Sequence, residues 1–173
     1  MKKGLQTLIL VPTSLPRIAG NAITAERWKN ALIEKGLAVH ILATEHIDAS
    51  HLIDCINQFK PDVVHAHHVS RAGALTLDPR VVSRYPRLPL VVSPAGTDLV
   101  LREGQLHGQG SIVARVCRRA CVIVTQGDWT AQKLLHLFPD VGERIIHVPK
   151  AFSWFGEGRF DLRETFSWQQ EDV

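Results

Sequence analysis

The stretch LQTLILVPTSLPRIAGNAITAERWKNALIEKG, residues 5–36, changes its period halfway. Leu8, Ile9, Leu10 and Val11 form an unbroken apolar run, which predicts a strand covered on both faces, as in a parallel sheet. From Thr24 the apolar residues Ala25, Trp28, Ala31 and Leu32 recur at helical spacing, and Glu26, Arg27, Lys29, Asn30 and Glu34 fall mostly on the other side. Gly36 ends this helix, because glycine accepts the left-handed backbone that closes a last turn. A strand followed by an amphipathic helix is half of a crossover, since parallel neighbours cannot be joined by a tight hairpin.

The unit repeats outward along the chain. Leu37 to Thr44 predicts a second strand, and His51 to Phe59 a short helix broken by Pro61. DVVHAHH, PLVVSPAG, CVIVTQ and RIIHVP predict strands three to six, with helices around Arg71 to Ser83, Ser111 to Ala120 and Trp129 to Phe138. The expected fold is α/β, a Rossmann-like parallel sheet with helices on both faces and right-handed crossovers. It is expected to occupy residues 1–150. Residues 151–173 hold four Phe and two Trp without a long periodic element, an aromatic tail or linker expected to pack on this domain or on a further one.

Composition narrows the function classes. The chain has 173 residues, 45% of them hydrophobic, enough for one well-packed domain. A formal charge of +3 is too small to imply a nucleic-acid partner. Cys55, Cys117 and Cys121 form an odd set without CxxC spacing, which argues against a disulfide framework or a zinc ribbon and for a reducing cytoplasm. The apolar N-terminal run is too short for a secretion signal and lacks a small-residue cleavage site. No segment approaches the ~20 apolar residues that span a bilayer, so peripheral contact is the most that a membrane is expected to offer.

Ligands in such sheets bind beyond the carboxyl ends of the strands. Gly20 and Asn21 stand there, in the loop before the first helix, where backbone N–H groups and the helix dipole attract an anion. A glycine that merely turns the chain is the plainer reading, and the dinucleotide fingerprint GxGxxG is absent. His65 and His67 alternate on one face of the third strand, with His68 at or past its end; they suit metal, a sugar hydroxyl, or a structural hydrogen bond. In SPAGTD, Gly96 permits close backbone approach, while Thr97 and Asp98 offer a hydroxyl and a carboxylate to a ligand or to a helix cap. TQGD, Thr125 to Asp128, reads as a cap for the following helix.

In this order GNAITAERWKNALIEKGLAVHIL, KPDVVHAHH, VVSPAGTD, CVIVTQGDWTAQKL and RIIHVPKAF resemble the N-terminal domain of GT-B glycosyltransferases of the retaining group 1 or family 4 type. The likeness spans roughly Leu5 to Phe152, and its first block also resembles a small branch with glycosyltransferase-one-domain proteins and selenosugar-forming enzymes. It implies the acceptor-binding half of a hexosyl-type transferase, with the nucleotide sugar held mainly by a C-terminal domain. On that mapping Gly20 and Asn21 lie near the donor phosphates, and His67, His68, Gly96, Thr97 and Asp98 line the acceptor side. No metal and no resident cofactor are implied, the nucleotide sugar being a co-substrate, and Arg17, Arg27 and Lys150 are candidate cations for the diphosphate. Ala95 stands where many relatives place a histidine, so that residue's role does not carry over. No second α/β half precedes Val173, and the chain alone is expected to bind an acceptor and transfer nothing. The alternatives are a stand-alone Rossmann-like binding or regulatory module and a metal hydrolase using His65, His67 and Asp98.

Overall fold

A computed structural model describes residues 4–100 and 111–149; the tail 151–173 and Lys150 lie outside the described residues. The strands are β1 (Gln6–Val11), β2 (Ala38–Ala43), β3 (Val63–His67), β4 (Leu90–Ser93), β5 (Val122–Thr125) and β6 (Ile145–His147). The helices are α1 (Gly20–Glu34), α2 (Ala49–Phe59), α3 (Pro79–Arg84), α4 (Gly96–Val100), α5 (Ile112–Arg119) and α6 (Asp128–Leu137). Short 3-10 turns cover Gly73–Leu77 and Pro139–Arg144.

All six strands are parallel, in the order β2-β1-β3-β4-β5-β6. The chain steps one way from β1 to β2 and the other way thereafter, so right-handed crossovers place α1 on one face and the later helices on the opposite face. Side chains alternate accordingly. Ile9 and Val11 meet Ala25, Trp28 and Leu32 of α1, while Leu8, Leu10, Val64, Ala66, Leu90, Val92 and Ile123 belong to the larger core with α2, α3, α5 and α6. Leu8 to Val11 are each 0% exposed, a burial of about 1.5–3 kcal/mol per side chain. The Rossmann-like α/β sheet is thus the architecture of the described chain.

The strand order reverses between β1 and β3. That switch point opens a crevice beyond the carboxyl ends of the strands, because the flanking loops leave in opposite directions.

Several elements differ from expectation. Helix α1 begins at Gly20, five residues before Ala25, the first residue of its apolar stripe. The helix expected over Arg71 to Ser83 is two pieces, because Asp78 adopts an extended ψ of 131° ahead of Pro79, whose ring disfavours a helical residue before it. Asp78 then caps α3 by accepting from the Arg80 N–H at 2.9 Å. Gly96, Thr97 and Asp98, read as a strand end and rim, lie in the short helix α4.

Candidate functional site

A cavity of about 360 Å3 lies at the switch point. Four segments far apart in sequence build its wall: Gly20, Asn21 and Thr24 from α1, His67 from β3, Pro94 to Gly96 after β4, and Gln126, Gly127 and Thr130 after β5. Of the residues singled out in the sequence, Gly20, Asn21, His67 and Gly96 therefore come together here.

Three of the lining residues are glycines. At Gly20, Gly96 and Gly127 no atom of the described residues lies within 4 Å of where a Cβ would sit, and none has a positive φ. Gly127, at φ −160°, is in extended backbone that any residue adopts. Neither crowding nor backbone conformation in the described chain demands glycine at these positions. What glycine adds is bare backbone facing the cavity.

Two helices start on this wall without side-chain caps. Ala19 precedes α1 and Gly127 precedes α6, and neither offers a side chain to the first-turn N–H groups. Elsewhere the sequence caps its helices: Asp48 accepts from Ser50 and His51 N–H at 3.0 and 3.1 Å, and Ser111 accepts from Ala114 N–H at 3.1 Å. Uncapped N-termini leave several N–H donors and the positive end of the helix dipole to water or a ligand. The expectation that TQGD caps α6 through a side chain is corrected here. Asp128 in its first turn instead reaches the His147 ring at 3.2 Å.

Beside the cavity, His68 and Asp98 are buried in a hydrogen-bonded network, which Thr97, itself exposed, joins from the surface. Asp98, expected at the rim, is 0% exposed. Its carboxylate accepts from Val69 N–H (2.7 Å), Ser70 N–H (2.8 Å), Ser70 Oγ (2.6 Å) and Ala95 N–H (2.9 Å). It also sits 2.7 Å from His68 Nδ1. With Nδ1 donating to the carboxylate, His68 Nε2 accepts from the Thr97 hydroxyl at 3.1 Å. Burial works to raise the Asp98 pKa, but the hydrogen bonds from His68 and Ser70 prevail and hold it below the usual carboxylate range. His68 has a φ of 87°, rare for a residue with a side chain, and the network fixes it there. Asp98 ties the loop after β3 to the loop after β4, which is why it points inward.

Trp28 lines a second opening, which shares Thr24 and Gln126 with the cavity. Its ring meets His67 edge-on at 4.9 Å and stacks on His65 at 4.7 Å. His65 faces a largely apolar groove of about 450 Å3 with Trp28, Leu32, Val124 and Val148. There its Nε2 bonds Ser93 Oγ at 2.8 Å. Burial, and then the neighbouring His67, push its pKa down to about 3. The trio His65, His67 and Asp98 therefore does not converge, and no group of three metal-ligating side chains exists among the described residues. The candidate cations also separate: Arg17 pairs with Glu45 at 2.7 Å in solvent, and Arg27 lines the groove. Sequence reading missed Gln126, Thr130 and the contact of Trp28 with both histidines; the alternation of His65 and His67 opposite a helical tryptophan was the available signal.

Among the described residues no helix is long and apolar enough to cross a membrane. No protein-family model matches the chain, and no curated protein matches it. Among solved structures it is similar to a solute-binding protein of an ABC transporter from Rhodopseudomonas palustris BisB5, in complex with 3,4-dihydroxy benzoic acid, at 16% identity and a TM-score of 0.43. That match covers 86% of this chain and 48% of the other, so the chain spans about half the length of the binding protein. A GntR transcription regulator from Chromobacterium violaceum is similar at 15% identity and a TM-score of 0.36, covering 83% of this chain and 78% of that one. Likeness at this level carries no argument about ligand or activity.

Proposed function

We propose that the chain is the acceptor-binding half of a glycosyltransferase, whose nucleotide-sugar donor is held mainly by a separate donor-binding domain. The observation that supports this reading is the cavity at the switch point, where Gly20, Gly96 and Gly127 turn bare backbone toward open space beside two uncapped helix starts. Such a wall suits the phosphates of a bound donor, whose charge meets N–H groups and helix dipoles without a metal ion. Among the described residues no acidic side chain lines the cavity to oppose an anion. His67, Asn21 and Gln126 supply the polar groups that a sugar acceptor needs, and the buried Asp98 network holds the β3 and β4 loops around them.

In this role the protein positions and does not itself supply a nucleophile. Stabilising the departing diphosphate and aligning the acceptor hydroxyl are the contributions open to such a wall. The test is to join a donor-binding domain to the chain. A donor-binding domain joined after residue 149 is expected to give nucleotide-sugar turnover that the chain by itself lacks, and Gly20→Val is expected to reduce that turnover by tenfold or more. Wild-type turnover in Gly20→Val would remove the phosphate role, and brisk turnover by the chain alone would overturn the half-enzyme reading. A binding module without catalysis would instead retain ligand affinity and give no turnover in either setting.

A further inference from the structure

Helix α5 presents two unlike faces. Val113, Ala114, Val116 and Cys117 are buried, while Arg115, Arg118 and Arg119 lie on the other side. Arg118 is spent within the protein: its guanidinium grips Asp140 at 2.7 and 3.2 Å. The backbone carbonyls of Arg118 and Ala120 accept from Arg144 Nη1 at 2.7 and 3.0 Å, which fixes the end of the helix. Asp78 is likewise committed to Arg80, at 3.0 and 3.1 Å.

That leaves Arg71, Arg115 and Arg119. Among the described residues no carboxylate lies within ion-pair reach of any of the three. They surround two adjoining shallow depressions, of about 940 and 460 Å3, which share Leu77, Pro79 and Arg115; Asp140 borders the larger and Asp78 the smaller, each already paired with its own arginine. Arg115 stands between them, Arg119 borders one and Arg71 the other. Arg119 also lines a small seam with Leu52, Ile56, Val81 and Leu88, so part of its side chain borders the core while no acid among the described residues neutralises it. Burial lowers its pKa from the usual guanidinium value.

We propose that Arg71, Arg115 and Arg119 form a binding site for a phosphate-bearing ligand, separate from the switch-point cavity, with which it shares no lining residue. Guanidinium groups recognise phosphate oxygens through paired N–H donors, and residues at i and i+4 of a helix project side by side, so Arg115 and Arg119 reach one anion together. Arg71 contributes from the loop after β3. The apolar surface of Leu77, Pro79 and Val82 receives the organic part of the ligand.

The experiment is a titration of the full chain with inorganic pyrophosphate, followed through the arginine side-chain Nε–H resonances by NMR. In a parallel arm the chain is sedimented with phosphatidylcholine vesicles with and without phosphatidylglycerol. Saturable shifts at Arg115 and Arg119 are expected, with affinity falling about tenfold or more in Arg115→Gln/Arg119→Gln and unchanged in Arg87→Gln. Arg119→Lys, which keeps the stem and the charge, guards against a folding defect and is expected to bind more weakly than wild type but better than the double variant. Pyrophosphate binding without vesicle binding identifies a soluble phosphate ester as the ligand; arginine-dependent sedimentation only with phosphatidylglycerol identifies a lipid headgroup. Equal weakening in Arg87→Gln, an exposed arginine outside both depressions, or shifts that never saturate, would overturn the site.

Discussion

The ends of β1 and β4 lie close together at one edge of the sheet and solve the same problem in opposite ways. After β1 the chain offers Ala19, Gly20 and Asn21, none of which caps α1, so the first-turn N–H groups are left facing the cavity. After β4 the chain offers Asp98, whose carboxylate gathers three backbone N–H groups, a serine hydroxyl and an imidazole into a sealed knot. A strand end becomes a place for a ligand where the sequence withholds a side chain able to satisfy the backbone. Where such a side chain is present, the same kind of loop becomes scaffold.

Breaking the knot is expected to have the largest effect. Asp98→Ala strands Val69, Ser70 and Ala95 N–H groups and His68 in a buried setting, and unfolding free energy measured by urea titration is expected to fall by about 3–5 kcal/mol. A loss below about 1 kcal/mol would mean that the loops are held by something else. The open end should behave in the reverse manner. Gly20→Val is expected to change stability by less than about 1 kcal/mol, since its Cβ meets no described atom beyond its neighbours and its own helix, while on the proposed function it lowers turnover tenfold or more once a donor-binding domain is joined.

Acid sharpens the contrast further. His65 titrates at about 3 when folded and at about 6.5 when unfolded, so the unfolded chain takes up the proton first. Its contribution is complete above about pH 6.5 and is lost as pH falls from there toward 3. The lowered Asp98 pKa acts in the same sense but later, contributing fully above about pH 3.9 and fading as pH drops through its folded value. Stability measured against pH is therefore expected to decline in two stages, and His65→Gln is expected to flatten only the upper one. The smallest effect is reserved for Arg17→Gln. Its ion pair with Glu45 is 68% and 37% exposed, so both stability (within about 0.5 kcal/mol) and cavity binding should hold; a clear loss of binding would restore Arg17 to the candidate cations.

Much of the scaffold was legible before any coordinates. The unbroken run Leu8 to Val11 and the helical stripe Ala25, Trp28 and Leu32 marked strand, helix and burial together, because each states its own period. Asp98 was legible as a polar strand end and no further. GTD reads alike whether its carboxylate faces a ligand or accepts N–H groups from another loop. Its partners Val69 and Ser70 are 29 and 28 residues away and arrive only through the pairing of His67 with Ser93. The glycines were visible as glycines; that three of them share one wall was not.

The amino-acid pattern alone determined which segments are strands, which are helices, and that their strands run parallel, since periodicity and the bare length of each connection are local properties. Tertiary structure decided which strand ends meet, which polar groups are used up among themselves and which are left facing space. That distinction depends on hydrogen bonds between loops brought together by sheet register, and no local window of sequence contains both partners.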